Sequence, residues 1–388
     1  MKSSKFRIMR KLLNGFLFIP IMTLAQSYNI GHTNMAFFDE ARNRSISTEI
    51  YYPADETGEN VELANGGFPV IVFGHGFLMA YEAYANFWTE LVPKGYIMAF
   101  PTTEMSLSPA HEELGADLKF VADEMLNLSN EESTIFYNSI LTKTALMGHS
   151  MGGGASLLAS ENNATISTLI NFAAAETTPS AIMAAANINV PALIFSGEED
   201  CVAPEIENQI PIYEAINSNC KTLVRVKNGG HCYFADNNFA CNLGETFCGN
   251  DFAITREEQH ETTFAFLNLW LDYTLYDNEN AFVEFNDAIQ ISNHINYDQT
   301  CTSLNTNENI NKDTFAIYPN PVKNEFTINI PGKACNGKYT ISNLYGQIVQ
   351  QNKTINCTTS INVSALAKGV YILTYSNEHK KQTTTFLK

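Results

Sequence analysis

The chain has 388 residues, and its 41 Asp+Glu against 23 Lys+Arg give a formal net charge of −18. That excess of acid excludes binding to nucleic acid through the phosphates. A hydrophobic share of 45% is enough to build a packed core and excludes a disordered chain, while the length exceeds one ordinary small domain but is short for three.

Lys2, Lys5, Arg7, Arg10 and Lys11 form a basic start, Leu12–Leu24 is mostly apolar, and Thr23-Leu24-Ala25 offers a small-residue cleavage site before Gln26. Residues 1–25 are therefore expected to be a secretory signal peptide. A membrane anchor needs about 20 apolar residues. The stretch here is shorter and is interrupted by Asn14 and Gly15, so no integral membrane segment is expected. Without the five cations of the leader, 18 Lys+Arg face 41 Asp+Glu, a net of −23 that suits a soluble secreted protein.

Tyr28–Asp39 and Arg44–Pro53 alternate as strands and predict a hairpin at a sheet edge. Phe68–Phe73 and Gly95–Phe100 are continuous apolar runs, as in strands buried on both faces. Between them Glu82–Pro93 predicts a helix with Trp88 and Leu91 on one side, and Ala110–Leu128 a longer one with Leu118, Val121 and Met125 at helical spacing. Further strands are expected at Thr144–Met147, Ser167–Ala173, Val190–Phe195 and Thr222–Val226, with a closing helix over Arg256–Tyr276. Strands alternating with helices imply an α/β fold, a mostly parallel sheet covered on both faces, with ligands bound beyond the carboxyl ends of the strands. Tyr297–Thr314 is polar and reads as a linker, and Phe315–Lys388 alternates as a small all-β sandwich. The expected domains are a leader over 1–25, a catalytic domain over 26–295, a linker over 296–314 and a C-terminal domain over 315–388.

Gly148-His149-Ser150-Met151-Gly152-Gly153 follows one of these strands and opens a helix with no bulky side chain in its first turn. It fits the G-x-S-x-G pattern of a nucleophile elbow, in which a strained turn holds the serine hydroxyl clear of the backbone. The alternative is a glycine-rich strand-to-helix turn with a bystander serine. A serine hydroxyl needs a base, and the base needs an orienting acid. Asp200 follows the strand ending at Phe195 and is the candidate acid, with Glu198 and Glu199 as substitutes. His231, after Gly229-Gly230, is the candidate base. His149 is expected to buttress the elbow instead. Gly74-His75-Gly76-Phe77 follows an early strand, so the backbone N–H of Phe77 and that of Met151 are the candidate oxyanion donors. The order Ser, Asp, His with each residue at a strand end points to serine-type acyl transfer. No cofactor and no metal are expected, since no C-x-x-C or H-x-x-x-H spacing occurs.

All eight cysteines lie after residue 200, and with a leader they are expected in disulfides. The pairings considered are Cys201–Cys232, which would staple the acid loop to the base loop, Cys241–Cys248, Cys220–Cys301 and Cys335–Cys357. Connectivity stays open at this level.

On Gly74-His75-Gly76-Phe77, Gly148–Gly154, Leu193–Phe195 with Asp200 and Ala203-Pro204, and Gly229-Gly230-His231, residues 26–285 resemble the α/β-hydrolase superfamily. The likeness is to the branch of cutinase-like and poly(ethylene terephthalate) hydrolases and chlorophyllase-like esterases. The resemblance implies that Phe77 and Met151 line an ester cleft, and a disulfide joining the acid and base loops occurs in some of these enzymes. It also implies an aromatic-clamping tryptophan after the strand that follows the elbow helix, where this chain has Phe172-Ala173-Ala174-Ala175-Glu176-Thr177-Thr178. The tail, through Ile317-Tyr318-Pro319-Asn320-Pro321-Val322, Leu344-Tyr345-Gly346-Gln347 and Leu366–Tyr371, resembles the C-terminal sorting domain of the type IX secretion system of Bacteroidota. The expected protein is a secreted, monomeric carboxylic-ester hydrolase of esterase or cutinase type. Its expected partners are a small, lipidic or polymeric ester and the type IX secretion machinery. The alternatives are a lipase or acyl-sugar esterase of the same fold, and a non-catalytic surface binding protein.

Overall fold

A computed structural model describes residues 27–246, 248–249, 252–301, 316–318, 322–329, 337–343, 347–354, 358–377 and 381–388. The leader expected over 1–25 and the proposed pair Cys335–Cys357 lie outside the described residues. The chain divides into two compact units, Met1–Ser303 and Leu304–Lys388.

The first unit is built on strands β1 (Asn29–Asp39), β2 (Arg44–Ala54), β3 (Gly58–Glu59), β4 (Phe68–Gly74), β5 (Ile97–Pro101), β6 (Ile140–His149), β7 (Thr168–Phe172), β8 (Ala192–Gly197), β9 (Cys220–Val226) and β10 (Ile295–Cys301). Its helices are α1 (Ala85–Leu91), α2 (His111–Leu128), α3 (Met151–Ser160), α4 (Ala181–Ala185), α5 (Gln209–Ala215), α6 (Phe239–Glu245), α7 (Arg256–Tyr276) and α8 (Glu279–Ile291). The strands form one ten-stranded sheet in the order β10-β9-β8-β7-β6-β4-β5-β2-β1-β3. Strands β4 to β9 run parallel, and β2 and β10 join antiparallel at either side. This is the mostly parallel, helix-covered sheet of an α/β hydrolase.

Side-chain alternation along each strand divides the core into two layers. Val70, Val72, Leu146 and Ile194 face α2, α3, α4 and α5, whereas Ile71, Phe73, Met147 and Phe195 face α1, α7 and α8. The sheet is apolar on both sides because both sides are covered. Helix α7 begins at a capping box between Thr255 and Glu258, and its buried Trp270 donates to Thr168 Oγ1 at 2.9 Å, tying the closing helix to β7.

Three differences from expectation have local causes. The helix expected over Glu82–Pro93 is split into a 3-10 turn at Tyr81–Tyr84, α1, and a second 3-10 turn at Val92–Lys94, where Pro93 cannot donate to an α-helical ladder. Helix α8 was not expected; its signal is the Asn278 cap followed by Ala281, Phe285 and Ile289 at four-residue spacing. The segment from 296, read as the start of a linker, is the edge strand β10 as far as Cys301. Its polar side chains suit an edge strand with one wet face, and Cys301 is paired in register with Cys220 and joined to it by a disulfide, as expected.

The second unit is all-β. Strands β11 (Ala316–Tyr318), β12 (Glu325–Asn329) and β15 (Thr358–Asn362) form one antiparallel sheet; β13 (Gly337–Asn343), β14 (Ile348–Thr354), β16 (Val370–Ser376) and β17 (Lys381–Leu387) form another. Phe326, Ile328 and Ile361 from the first sheet share a core with Ile341, Leu373 and Tyr375 from the second, which makes a small sandwich.

One buried charge cluster bears on the first unit's stability. Asp117 on α2 is fully buried; it accepts from Arg44 Nε at 2.9 Å, from Arg44 Nη2 at 2.7 Å and from Thr103 Oγ1 at 2.6 Å, and pairs with Arg42 Nη1 at 2.8 Å. Removing its carboxylate takes the one fully buried partner from each guanidinium, while Arg42 keeps Asp39 and Glu113 and Arg44 keeps Glu104. Asp117→Ala is expected to cost about 3 kcal/mol, the low end for a broken buried pair, because both arginines keep some contact with water. Urea unfolding followed by tryptophan fluorescence checks this, since Trp88 and Trp270 both lie in the first unit.

Candidate active site

Ser150 stands between the end of β6 and the first residue of α3 with φ 54° and ψ −121°. A non-glycine residue in that region carries about 1–3 kcal/mol of strain, which the surroundings must hold. They hold it through backbone bonds on both sides: Ser150 N donates to Phe172 O at 3.0 Å, and Ala175 N donates to Ser150 O at 3.0 Å. Glycine is required where the new helix meets β4. A Cβ on Gly152 would lie 2.2 Å from the backbone of Gly74 and 2.6 Å from His75 O. The helix N-terminus therefore sits directly on the end of β4, and Met151 N–H, as the first N–H of α3, has no acceptor within the helix.

That contact sets the loop after β4 beside the elbow. Gly76 O accepts from Met79 N at 3.1 Å, and His75 Nδ1 lies 2.9 Å from the same oxygen. A trans peptide points its N–H opposite to its C=O, so Phe77 N–H is directed away from that pair of contacts. His75 Nε2 lies 2.7 Å from Thr103 O, which ties this loop to the residue that donates to Asp117. The Phe77 side chain is 45% exposed, and Met151 is buried.

The structure brings Asp200 and His231 together. Asp200 Oδ2 is 2.7 Å from His231 Nδ1, and both residues are buried. A carboxylate only accepts, so Nδ1 carries the proton and Nε2 keeps its lone pair. The other carboxylate oxygen accepts from Val202 N and Ala203 N, each at 2.8 Å, so the acid is held at three points. Glu198 and Glu199 are exposed, and Glu198 accepts from Asn296 instead. The His231 carbonyl lies 3.0 Å from His149 Nε2, and the two imidazole rings are 4.8 Å apart. The base loop is thus seated against the residue preceding Ser150. Among the described residues no hydrogen bond joins the Ser150 hydroxyl to the His231 ring.

Residues not singled out from the sequence clamp the base loop. Gln259 on α7, fully buried, accepts from Gly230 N at 3.0 Å and donates to Gly230 O at 2.9 Å. Glu245 accepts from Cys232 N at 2.8 Å, and Arg256 donates to Cys232 O. Burial raises the Glu245 carboxyl above its ordinary range and lowers the Arg256 guanidinium. The available signal is weak: Arg256 and Gln259 are polar residues on the first turns of a helix expected to face a core, and Glu245 lies on a short helix with no periodic signal.

The disulfides near the site differ from the pairing considered above. Cys201 joins Cys248 and Cys232 joins Cys241, not Cys201 with Cys232 and Cys241 with Cys248. Helix α6 follows the base loop in the chain, carries Cys241, and is followed by Cys248. The acid loop and base loop are therefore stapled to a common segment and not to each other. His149, His231 and Cys241 bring potential metal-ligand atoms within 4.8 Å of one another, but the Cys241 sulfur is bonded to Cys232 and offers no thiolate.

His149 is fully buried, and burial, followed by the His231 charge, holds its imidazole well below the ordinary 6.5. As pH falls the unfolded chain takes up this proton first, so stability is lost on acidification below 6.5. This residue alone can contribute a slope of up to about 1.4 kcal/mol per pH unit. His149→Gln is expected to flatten the decline in unfolding free energy between about pH 6.5 and pH 5. Urea titrations of both proteins across that range check it.

Residues 43–248 match the family described as PET hydrolase-like, and residues 316–388 match the secretion system C-terminal sorting domain. Among the described residues no helix is long and apolar enough to cross a membrane. The sorting domain marks the chain for the type IX machinery and for export to the cell surface or the extracellular space. With more than half of its length in that match, the chain belongs to the PET hydrolase-like family of hydrolases.

Proposed function

We propose that the protein is a serine carboxylic-ester hydrolase in which Ser150, His231 and Asp200 act together. Ser150 Oγ bonds to the acyl carbon while His231 Nε2 takes its proton. The carbonyl π electrons move onto oxygen, and the oxyanion so formed accepts hydrogen bonds from the N–H groups of Phe77 and Met151. When the tetrahedral species collapses, the ester C–O bond breaks and the proton on His231 passes to the departing alcohol. Water, deprotonated by the same nitrogen, then releases the acid and restores Ser150. Asp200 holds His231 in the tautomer that leaves Nε2 free and stabilises its transient positive charge. The observation that carries this reading is the buried 2.7 Å contact of His231 Nδ1 with Asp200, on a loop seated against the residue beside a serine at φ 54°. Ser150→Ala is expected to lower kcat on p-nitrophenyl butyrate by about 10³-fold or more and to abolish labelling by a fluorophosphonate probe. Unchanged turnover would overturn the assignment.

We further propose a water-insoluble, apolar ester as substrate, a polyester surface in particular. Phe77, Leu107, Val202, Phe239 and Leu243 are large apolar side chains exposed on connections that leave the carboxyl ends of β4, β5, β8 and β9. Exposed apolar groups on that one end of the sheet favour contact with an apolar surface. The connection after β7 offers no tryptophan to clamp an aromatic ring, which favours aliphatic over aromatic polyesters. Each side chain half-buried on such a surface is worth about 1 kcal/mol, or about fivefold in adsorption. The double variant Phe239→Ser/Leu243→Ser is expected to slow weight loss of an aliphatic polyester film several-fold with p-nitrophenyl butyrate turnover unchanged. Equal rates on film for variant and wild type would count against the surface reading.

A further inference from the structure

We infer that His149 and Tyr84 are positioning residues that lock the oxyanion loop and the base loop into one unit through a single directed chain of hydrogen bonds. The inference rests on the serine-hydrolase reading and concerns how its parts are held. Gly76 N donates to Tyr84 Oη at 2.7 Å, Tyr84 Oη lies 3.1 Å from His149 Nδ1, and His149 Nε2 lies 3.0 Å from His231 O. The direction of every proton follows from chemistry. The His231 carbonyl can only accept, so His149 Nε2 carries the proton and Nδ1 accepts. The Tyr84 hydroxyl therefore donates to Nδ1 and accepts from Gly76. The one competing acceptor for its proton, Met79 Sδ at 3.4 Å, is a weak one.

Tyr84 and His149 are fully buried, and His231 and Gly76 are buried beside them, so water does not substitute for a lost link. Each end of the chain is a backbone group next to a reacting one. The Gly76 N–H lies in the peptide immediately before the one that carries the candidate donor Phe77 N–H, the two joined at the Gly76 Cα, and the His231 carbonyl belongs to the candidate base. The ring of His149 also packs 4.8 Å from that of His231, so its shape as well as its bonds faces the base. A phenol and an imidazole fully buried at this point have no other task in the proposed reaction.

The test compares Tyr84→Phe, His149→Phe, His149→Gln and the double variant Tyr84→Phe/His149→Phe in the full chain. Turnover of p-nitrophenyl butyrate is normalised to sites titrated with a fluorophosphonate, so unfolded protein is not counted. Loss of the link is expected to lower kcat by about 10- to 100-fold in Tyr84→Phe and His149→Phe with KM within about twofold, the cost of a small misplacement of reacting groups. His149→Gln, whose amide can donate to the His231 carbonyl and accept from Tyr84, is expected to recover most of that loss. The double variant is expected to fall no lower than the worse single, since both break one chain. Unchanged kcat per titrated site in Tyr84→Phe overturns the inference, as do multiplicative losses in the double variant or a glutamine no better than phenylalanine. If His149→Phe does not fold, Tyr84→Phe and His149→Gln still decide it. An active, labelled Ser150→Ala would instead overturn the reading beneath it.

Discussion

The close approach of Gly152 to the end of β4 is the constraint on which the site depends. Two backbones meet there with no room for a Cβ, which brings the first turn of α3 against Gly74 and His75. The consequence is a fixed spacing between two loops that belong to different strands. Met151 N–H at the helix start and the Gly76–Phe77 peptide beyond β4 are held on adjacent pieces of rigid backbone. The strain at Ser150 persists because Phe172 O and Ala175 N grip it from the neighbouring strand and its following loop. A turn of this kind is stable only inside a sheet whose order places β4 and β7 on either side of β6, as it is here.

Around that rigid centre, polar side chains orient the remaining parts, several of them by gripping backbone. Gln259 closes a two-bond clamp on Gly230, Glu245 and Arg256 take the two sides of Cys232, and Thr103 links the loop after β4 to Asp117 and its two arginines. The contacts to Gly230 and Cys232 each fix a peptide plane, and so fix the direction of a neighbouring N–H or side chain. The disulfides act at a coarser level. By joining Cys201 and Cys232 to the α6 segment they limit how far the acid and base loops can separate. The exposed apolar side chains of α6, Phe239 and Leu243, are thereby carried on a braced element.

Much of the architecture was legible because it follows from periodicity. Phe68–Phe73 is apolar at every position since helices cover both faces of its strand, and Leu118, Val121 and Met125 mark one helix face. Helix α7 runs over the expected residues because a capping box begins it. Features held by strand pairing and disulfides leave no such period in the sequence. The 296–301 segment lacks an apolar face because it is an edge strand held by pairing and a disulfide, features that hydrophobicity does not register. The cysteine pairing near the site is not legible because both loops bond to the segment of α6, a short helix without a continuous apolar stripe, and spacing along the chain does not show which cysteines that segment meets.

The sequence by itself determined the residue types and their order: a serine at a glycine-lined turn, then an aspartate and a histidine at strand ends, an early glycine-rich loop, and a sorting tail. These are local patterns, set by backbone conformation and by alternation that a single strand or helix imposes on its own residues. Only the tertiary structure decided which acid faces His231, which cysteines meet, and that Tyr84 and His149 connect the loop after β4 to His231. Those outcomes depend on groups 31 to 82 residues apart for Asp200 with His231 and His149 with His231. Distance along the chain carries no information about direction in space, and a hydrogen bond exists only where sheet order and helix packing have already aimed its two ends at each other.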